Sequence, residues 1–158
     1  MGMDVCGNAP TAEVGEYFRR SVWGWHPLWD LVEDVCPWVL KAVPGGHYND
    51  GEGLDAQQAL RLADELAEML ADKTITRYIE KRNHTLAELP DVPCQWCEGT
   101  GVRTDEVGQQ MKMPERNWCN GCDGKGFQQD SRRMYQVSVE DVEEFAEFVR
   151  HSGGFRIH

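Results

Sequence analysis

The clearest chemistry in this sequence lies in two short cysteine motifs. The first knuckle spans Cys94–Gly101 and the second knuckle spans Cys119–Gly126, and both have the pattern C-x-x-C-x-G-x-G. A gap of two residues lets one tight turn present two sulfurs to the same ion, and the glycines that follow let the backbone N–H groups fold back towards the sulfurs. Two such turns complete a tetrahedral set of thiolates. The spacing therefore predicts a metal site with four ligands: Cys94, Cys97, Cys119 and Cys122.

Structural zinc favours closed coordination by four sulfurs, with Zn–S bonds of about 2.3 Å, whereas catalytic zinc usually keeps a position open for water. Four cysteines leave no such position, so we expect one structural Zn²⁺. Two alternatives remain open. Paired disulfides need an oxidising compartment, and iron also accepts four cysteines, alone or in a cluster. A thioredoxin-like redox pair at Cys94 and Cys97 is disfavoured, because glycines follow where that motif requires a helix.

The repeated motif C-x-x-C-x-G-x-G resembles the zinc-finger domain of DnaJ (Hsp40) co-chaperones, and the likeness covers residues 91–128. That domain has four repeats and two zinc ions, whereas two repeats here allow one site, for which the resemblance implies the same four cysteine ligands. The J domain of the family needs His-Pro-Asp, and the related tripeptide here is His26-Pro27-Leu28, which lacks the aspartate. Co-chaperone activity is therefore not implied. Other proteins with this finger use it for protein contacts, so the resemblance implies binding.

A second and less specific likeness concerns the N-terminal part of the chain. The run Glu16–Trp25 is similar to segments of small proteins of bacteria and their phages. This similarity implies a biological context and no mechanism.

Helical periodicity flanks the cysteine motifs on both sides. Apolar residues recur at i, i+3, i+4 and i+7 after Pro27, which predicts a first helix that starts there and ends at Pro37. A long second helix is expected from Asp55, and a third over residues 74–88. Ser138 opens a C-terminal helix through the capping pattern S-x-x-D.

These elements predict a mainly α fold: a helical domain with an inserted zinc-bound finger that resembles a β-hairpin, so that the small zinc module gives the whole an α+β character. We expect residues 1–90 to form the helical N-terminal part of the main domain and residues 91–128 to form the DnaJ-like zinc finger. Residues 129–158 should then supply a C-terminal helix that packs on the main domain, because a lone helix of that length is marginal in water.

Charge limits the classes of partner. The 158 residues include 16 Lys and Arg against 27 Asp and Glu, a net charge of −11, which argues against a broad phosphate-binding surface. No apolar run approaches the roughly 20 residues of a membrane helix. The N-terminal residues are acidic and lack the apolar stretch of a secretory signal, so we expect a cytoplasmic protein.

Beyond the ligands, the candidates are surfaces for a protein partner. Trp96 lies within the first knuckle and Trp118 precedes the second, so either can project from a rigid loop into a partner. Glu143, Glu144 and Glu147 lie on the acidic C-terminal helix and suit a basic partner. Two cysteines, Cys6 and Cys36, are left over, and the five histidines show no ligand spacing.

The expected function is that of a non-enzymatic zinc module for protein–protein contacts: an adaptor, an accessory chaperone-like factor or an inhibitor. No nucleophile, acid–base pair or open metal site can be assembled from the sequence. One alternative is a phage-type inhibitor whose acidic surface mimics nucleic acid. Another is a nucleic-acid-binding finger protein that uses Arg132 and Arg133, although a nucleic-acid partner is disfavoured by the net charge.

Overall fold

The computed structural model describes residues 2–158, and the chain divides into two compact units. The main unit consists of the chain up to His84 together with Met134–His158. The finger unit consists of Thr85–Arg133. The main unit is therefore assembled from two segments that the finger unit separates in sequence.

The helices begin where side chains can satisfy free backbone N–H groups. Asp55 accepts a hydrogen bond from the N–H of Gln58, whose side chain accepts one from the N–H of Asp55. Ser138 and Asp141 form the same reciprocal pair, as their spacing predicts. The helices are α1 (Val22–Val35), α2 (Val39–Ala42), α3 (Ala56–Ala71), α4 (Thr74–Ala87), α5 (Glu106–Gln110) and α6 (Val139–His151). Within residues 2–158, no helix is both long and apolar enough to span a membrane.

The start of α1 differs from the sequence prediction. The helix begins at Val22, because the Ser21 side chain accepts from the N–H of Gly24, and Pro27 lies inside it. A proline within a helix removes one backbone hydrogen bond, here the one to the carbonyl of Trp23. The apolar periodicity was therefore a correct signal for the helix, whereas the proline was a wrong signal for its first turn.

A four-stranded antiparallel sheet completes the main unit. Its strands are β1 (Gly2–Gly7), β2 (Tyr17–Ser21), β3 (Gly53–Leu54) and, after the finger unit, β6 (Phe155–Ile157). The strand order is β2-β1-β6-β3. Val5 pairs with Phe18 on one side and with Ile157 on the other, so strands from both ends of the chain meet at β1.

The fold is therefore an α+β mix, and the expectation of a mainly α domain is not confirmed. Helical turns take up 48% of the chain, but the sheet forms one wall of the main core. The strands escape notice in the sequence because they are short and far apart, so each shows too few alternations to reveal a period of two. Their pairing depends on contacts that no local pattern contains.

The core of the main unit is built on aromatic rings. Trp25 and Trp29 are fully buried and stacked, with ring centroids 5.2 Å apart, and Phe145 of α6 meets both edge-on. The indole N–H of Trp25 donates to the carbonyl of Gly46 at 2.8 Å. Trp23 instead remains 43% exposed and packs against the ring of Tyr135. Two of these three tryptophans thus belong to the core, and α6 packs against them.

Replacing Phe155 tests the register of β6. Its ring is fully buried against Trp29, Phe145 and Phe148, so Phe155→Ala should cost about 3–5 kcal/mol of unfolding free energy. The adjacent Arg156 is exposed, and Arg156→Ala should stay within about 0.5 kcal/mol. Urea denaturation measures both. Equal losses for the two variants would mean that β6 is not placed in this register.

Candidate metal centre

The two knuckles bring four buried sulfurs to one point. The Sγ atoms of Cys94, Cys97, Cys119 and Cys122 all lie within 4.8 Å of one another. Cys94 Sγ lies 3.9 Å from Cys119 Sγ, and Cys97 Sγ lies 3.7 Å from Cys122 Sγ. Each knuckle thus contributes one sulfur to each of these pairs.

These distances fit one tetrahedral ion. A centre with metal–sulfur bonds of about 2.3 Å places its sulfurs about 3.8 Å apart, whereas a disulfide needs about 2.05 Å. The six cysteines of the chain are all free in the described structure. The buried four-cysteine group could therefore coordinate a metal ion.

Backbone N–H groups face the sulfurs in the way that the glycines predict. The N–H of Gly101 donates to Cys97 Sγ at 3.3 Å, and the N–H of Gly126 donates to Cys122 Sγ at 3.2 Å. Each donor comes four residues after the cysteine that it contacts. Such bonds to sulfur stabilise the thiolate over the thiol, which is the form that binds a metal.

Glycines also let the two knuckles approach backbone to backbone. A Cβ at Gly101 would lie 2.5 Å from the carbonyl oxygen of Gly124, and a Cβ at Gly126 would lie 2.4 Å from that of Gly99. All four have positive φ angles, between 77° and 87°. The second knuckle repeats the first 25 positions later, so the two close approaches join equivalent positions in opposite order, which gives the knuckles an approximate two-fold relation.

Short strands close the finger unit beside the cluster. β4 (Val92–Pro93) pairs antiparallel with β5 (Phe127–Gln128), directly before the first knuckle and directly after the second. The N–H of Cys94 continues this pairing by donating to the carbonyl of Gly126 at 2.8 Å. The hairpin-like pairing thus fixes the two knuckles in register.

Trp96 and Gly121 break the two-fold relation. They occupy equivalent places in the two C-x-x-C turns, and a Cβ at Gly121 would lie 2.2 Å from Cδ1 of Trp96. The indole therefore lies across the second knuckle, while 46% of the residue's surface stays exposed. Trp96, a candidate contact for a partner, thus also packs the finger unit from within.

Arg103 joins the two knuckles, a role that its sequence position does not reveal. Its guanidinium lies over the Trp96 ring, 4.7 Å from the centroid, and donates to Asn120 Oδ1 at 3.0 Å. It also forms a two-pronged ion pair with Asp105, at 2.7 and 2.8 Å. Asp105, with smaller contributions from Cys119 and Cys94, raises the pKa of Arg103 further above its ordinary value. A nearly buried cation therefore lies next to the sulfurs.

The sulfur cluster favours partial ionisation on its own. Burial opposes ionisation of Cys97, but the N–H of Gly101 and the neighbouring thiols outweigh it and lower its pKa to about 7. Burial, followed by the neighbouring sulfurs, raises the pKa of Cys122 to about 11. Like charges this close ionise together when a cation lies between them. The cluster could therefore hold a cation.

Two further ion pairs lie within the finger unit. It holds eight acidic and six basic side chains, a net charge of −2. Arg132 pairs with Asp130 at 2.7 Å and Arg133 pairs with Asp91 at 3.2 Å. The two arginines considered for nucleic acid are therefore engaged with carboxylates. Trp118 is half-buried, and its indole N–H lies 3.3 Å from Asp123 Oδ1.

The acidic candidates lie in the main unit. Glu143, Glu144 and Glu147 are exposed on α6, where Glu144 pairs with Arg20 and Glu147 lies 3.4 Å from His151 Nε2. Arg20 also lies 3.2 Å from Asp141. One strand side chain thus compensates part of the negative charge of the helix.

The two remaining cysteines are separate from the cluster. Cys36 is buried in the main core, and burial together with Glu65 raises the pKa of its thiol to about 12. Cys6 lies half-buried in β1. The high pKa of Cys36 makes it an unreactive core thiol.

A histidine pair is a feature that sequence reasoning missed. His26 Nδ1 lies 2.9 Å from His47 Nδ1, so one ring donates and the other accepts. His47 Nε2 lies 3.4 Å from Asp30 and 3.5 Å from Glu33. Burial, followed by the charge of His47, lowers the pKa of His26. The two rings are 21 positions apart, which matches no local ligand motif.

Comparisons of the chain with models of known protein families, with curated proteins and with solved structures found no match. The interpretation of the cysteine cluster therefore depends on its own geometry.

Replacing Arg103 tests its positioning role. Arg103→Met keeps the aliphatic stem but removes the donor to Asn120 Oδ1 and the ion pair of Asp105, so metal affinity should fall by about 10- to 100-fold. Competition with a chromophoric chelator measures this. The matched control is Arg116→Met, which changes an exposed arginine of the same unit and should leave affinity unchanged. Equal affinity of the Arg103 variant and the wild type would contradict the role.

Replacing His26 tests the histidine pair. A pKa below the ordinary value means that the unfolded chain binds the proton more tightly, so stability falls as the pH drops through about 6.5 towards the folded pKa. His26→Gln should lose less stability than the wild type between about pH 7 and pH 5 in urea denaturation. The exposed His158→Gln serves as the control. An unchanged pH dependence in the His26 variant would rule out this contribution.

Proposed function

We propose that this protein is a zinc-binding module for protein–protein interaction, with one structural Zn²⁺ held by Cys94, Cys97, Cys119 and Cys122. The observation that carries the proposal is the meeting of four buried sulfurs within 4.8 Å. Zinc supplies the dication that lets all four cysteines ionise, and the four thiolates fill its tetrahedral shell. The metal then acts on structure and leaves no position for a reacting water.

The compactness of the cluster favours a single ion. A centre with several irons would hold its cysteine sulfurs farther apart than 4.8 Å, because the irons and bridging sulfides occupy the space between them. A single iron fits the same tetrahedron, so metal analysis distinguishes the two. Zinc is the better match to a site whose ligands come from two short, glycine-supported turns.

A protein partner suits the surface of the finger unit better than nucleic acid. A zinc ion with four thiolates adds two negative charges to a unit that already has a net charge of −2, which disfavours phosphate. Trp96 and Phe127 are 46% and 53% exposed, and both are held by the frame that the knuckles and the β4–β5 pair create. Rigid exposed aromatic rings are typical anchors of protein interfaces.

The resemblance to DnaJ zinc fingers supports the same proposal. In that comparison the finger is a contact surface, and this chain would use a single-site version of it as an adaptor, an accessory chaperone-like factor or an inhibitor in the cytoplasm. The runner-up, an acidic mimic of nucleic acid on α6, is weakened by Arg20, which pairs with both Asp141 and Glu144.

Removing one ligand tests the metal. Cys97→Ser or Cys122→Ser should release zinc and melt the finger unit, because metal-binding free energy is also folding free energy in such a module. Elemental analysis of the freshly reduced wild type should give one zinc per chain, and NMR amide spectra should show loss of dispersion within residues 85–133. Cys6→Ser is the matched control, since Cys6 lies outside the cluster.

Absence of zinc from the reduced wild type, or full retention of it by the Cys122 variant, would contradict the site. Affinity capture from the native cell with wild-type and Cys122→Ser protein then tests the binding role. Partners that depend on the finger unit are lost with the metal, whereas equal recovery of every partner by both proteins would contradict the proposal.

A further inference from the structure

An apolar groove lies in the main unit between β2 and α6, away from the sulfur cluster in sequence. It has a volume of about 470 Å³. Phe18 and Phe148 form the buried part of its lining, and Val14 and Tyr17 are 43% and 51% exposed at its margin. Its other lining residues are three exposed glutamates, which we call the glutamate rim: Glu143, Glu144 and Glu147.

The groove runs beside an open strand edge. β2 is the terminal strand of the order β2-β1-β6-β3, so only one of its sides is paired within the sheet. In β1, the N–H of Gly7 faces β2, on the side where it donates to the carbonyl of Glu16. The backbone groups of Asp4 face the opposite side, where they exchange both hydrogen bonds with His158. Antiparallel pairing alternates residue by residue, so Phe18 and Arg20 direct their backbone groups towards β1.

The alternation turns the backbone groups of Tyr17 and Arg19 outward. Both residues are exposed, and within residues 2–158 no backbone carbonyl accepts from their N–H groups on the open side of β2. The carbonyl of Arg19 accepts from the Arg20 guanidinium at 3.1 Å, which blocks one acceptor on this edge. Because Tyr17 and Phe18 alternate between the two faces yet both line the groove, the groove must follow the edge itself.

We propose that this groove binds an extended, cationic segment of a partner protein, which adds to the edge of β2. Backbone hydrogen bonds to Tyr17 and Arg19 would hold the segment, and one apolar side chain would enter the groove against Phe18 and Phe148. Lys or Arg on the same face would meet the glutamate rim. The charge of the rim selects the occupant, because Glu143 has no compensating cation among the described ion pairs and Glu147 has only a histidine.

A second copy of this chain fits the groove poorly. The net charge of −11 on each copy opposes self-association. Nucleic acid is opposed by the same rim. The proposal concerns the main unit and does not depend on the metal. It can therefore fail while the proposed function of the finger unit holds, and the reverse is also true.

The test uses the full zinc-loaded chain and the synthetic peptide GTKTLTKTG. In an extended conformation its two lysines share a face with the central leucine. The ¹⁵N–¹H NMR spectrum should shift at Tyr17 and Arg19 and along α6, and binding should weaken when salt is raised well above physiological strength. Two control peptides, GTETLTETG and GTKTSTKTG, remove the positive charge and the apolar side chain in turn, and both should bind at least about tenfold more weakly.

Two pairs of variants separate the contributions. Glu143→Lys with Glu147→Lys should raise the Kd of the peptide about tenfold or more, whereas Glu68→Lys with Glu80→Lys, exposed on α3 and α4, should change it less than about twofold. Arg19→Pro removes one outward N–H, and Arg19→Ala keeps it; the proline variant alone should lose the edge pairing. Circular dichroism verifies that each variant is folded.

Equal binding of the acidic peptide, or shifts confined to other surfaces, would overturn the proposal. Equal Kd values for the two Arg19 variants would overturn the strand addition. Sedimentation of the free protein as a dimer that Arg19→Pro dissolves would assign the edge to a second copy instead.

Discussion

The finger unit depends on one constraint: four sulfurs must stay within 4.8 Å of one another although they carry like charge when ionised. The secondary structure around the cluster is short, since the strands β4 and β5 have two residues each and α5 has five. An apolar core of ordinary size is also missing among the described residues of this unit, whose buried cluster consists of the cysteines themselves. Under the proposed function, coordination of a metal would supply the cohesion that a hydrophobic core supplies in the main unit, so metal binding and folding of the finger unit would be coupled.

The approximate two-fold symmetry explains why glycine recurs where it does. Each knuckle must accept the carbonyl of the other at a distance that excludes a side chain, and each must also turn an N–H towards sulfur with a positive φ angle. Two chemically identical turns leave no large side chain at their junction. The difference between the two turns fills this junction with a large side chain, because Trp96 faces Gly121. Arg103 then covers the indole and donates to Asn120 of the opposite turn. A large residue opposite a small one gives a better packed junction than two equal residues would give.

The sequence predicts the elements whose signals are local and misses those that depend on distant pairing. The C-x-x-C-x-G-x-G spacing predicts the four cysteines that meet in the cluster, and the capping patterns at Asp55 and Ser138 predict the starts of α3 and α6. The sheet is missed because β1 and β6 lie about as far apart as the chain allows, and three residues of β6 carry only one alternation. Arg103 and the His26–His47 pair are missed for the same reason. Each acts through a partner that no fixed offset identifies, so only the assembled fold reveals them.

The placement of charge changes the meaning of the acidic composition. Taken as a total, −11 only disfavours phosphate. In the fold, several arginines form ion pairs with nearby carboxylates. Arg132 and Arg133 do so within the finger unit, and Arg20 does so between β2 and α6. The net charge is thereby left on surfaces such as the glutamate rim, where it adjoins apolar rings and an open strand edge. Carboxylates beside apolar surface repel other acidic chains and leave the groove accessible to a basic one, so the same charge that protects the edge of β2 from aggregation also selects what can pair with it.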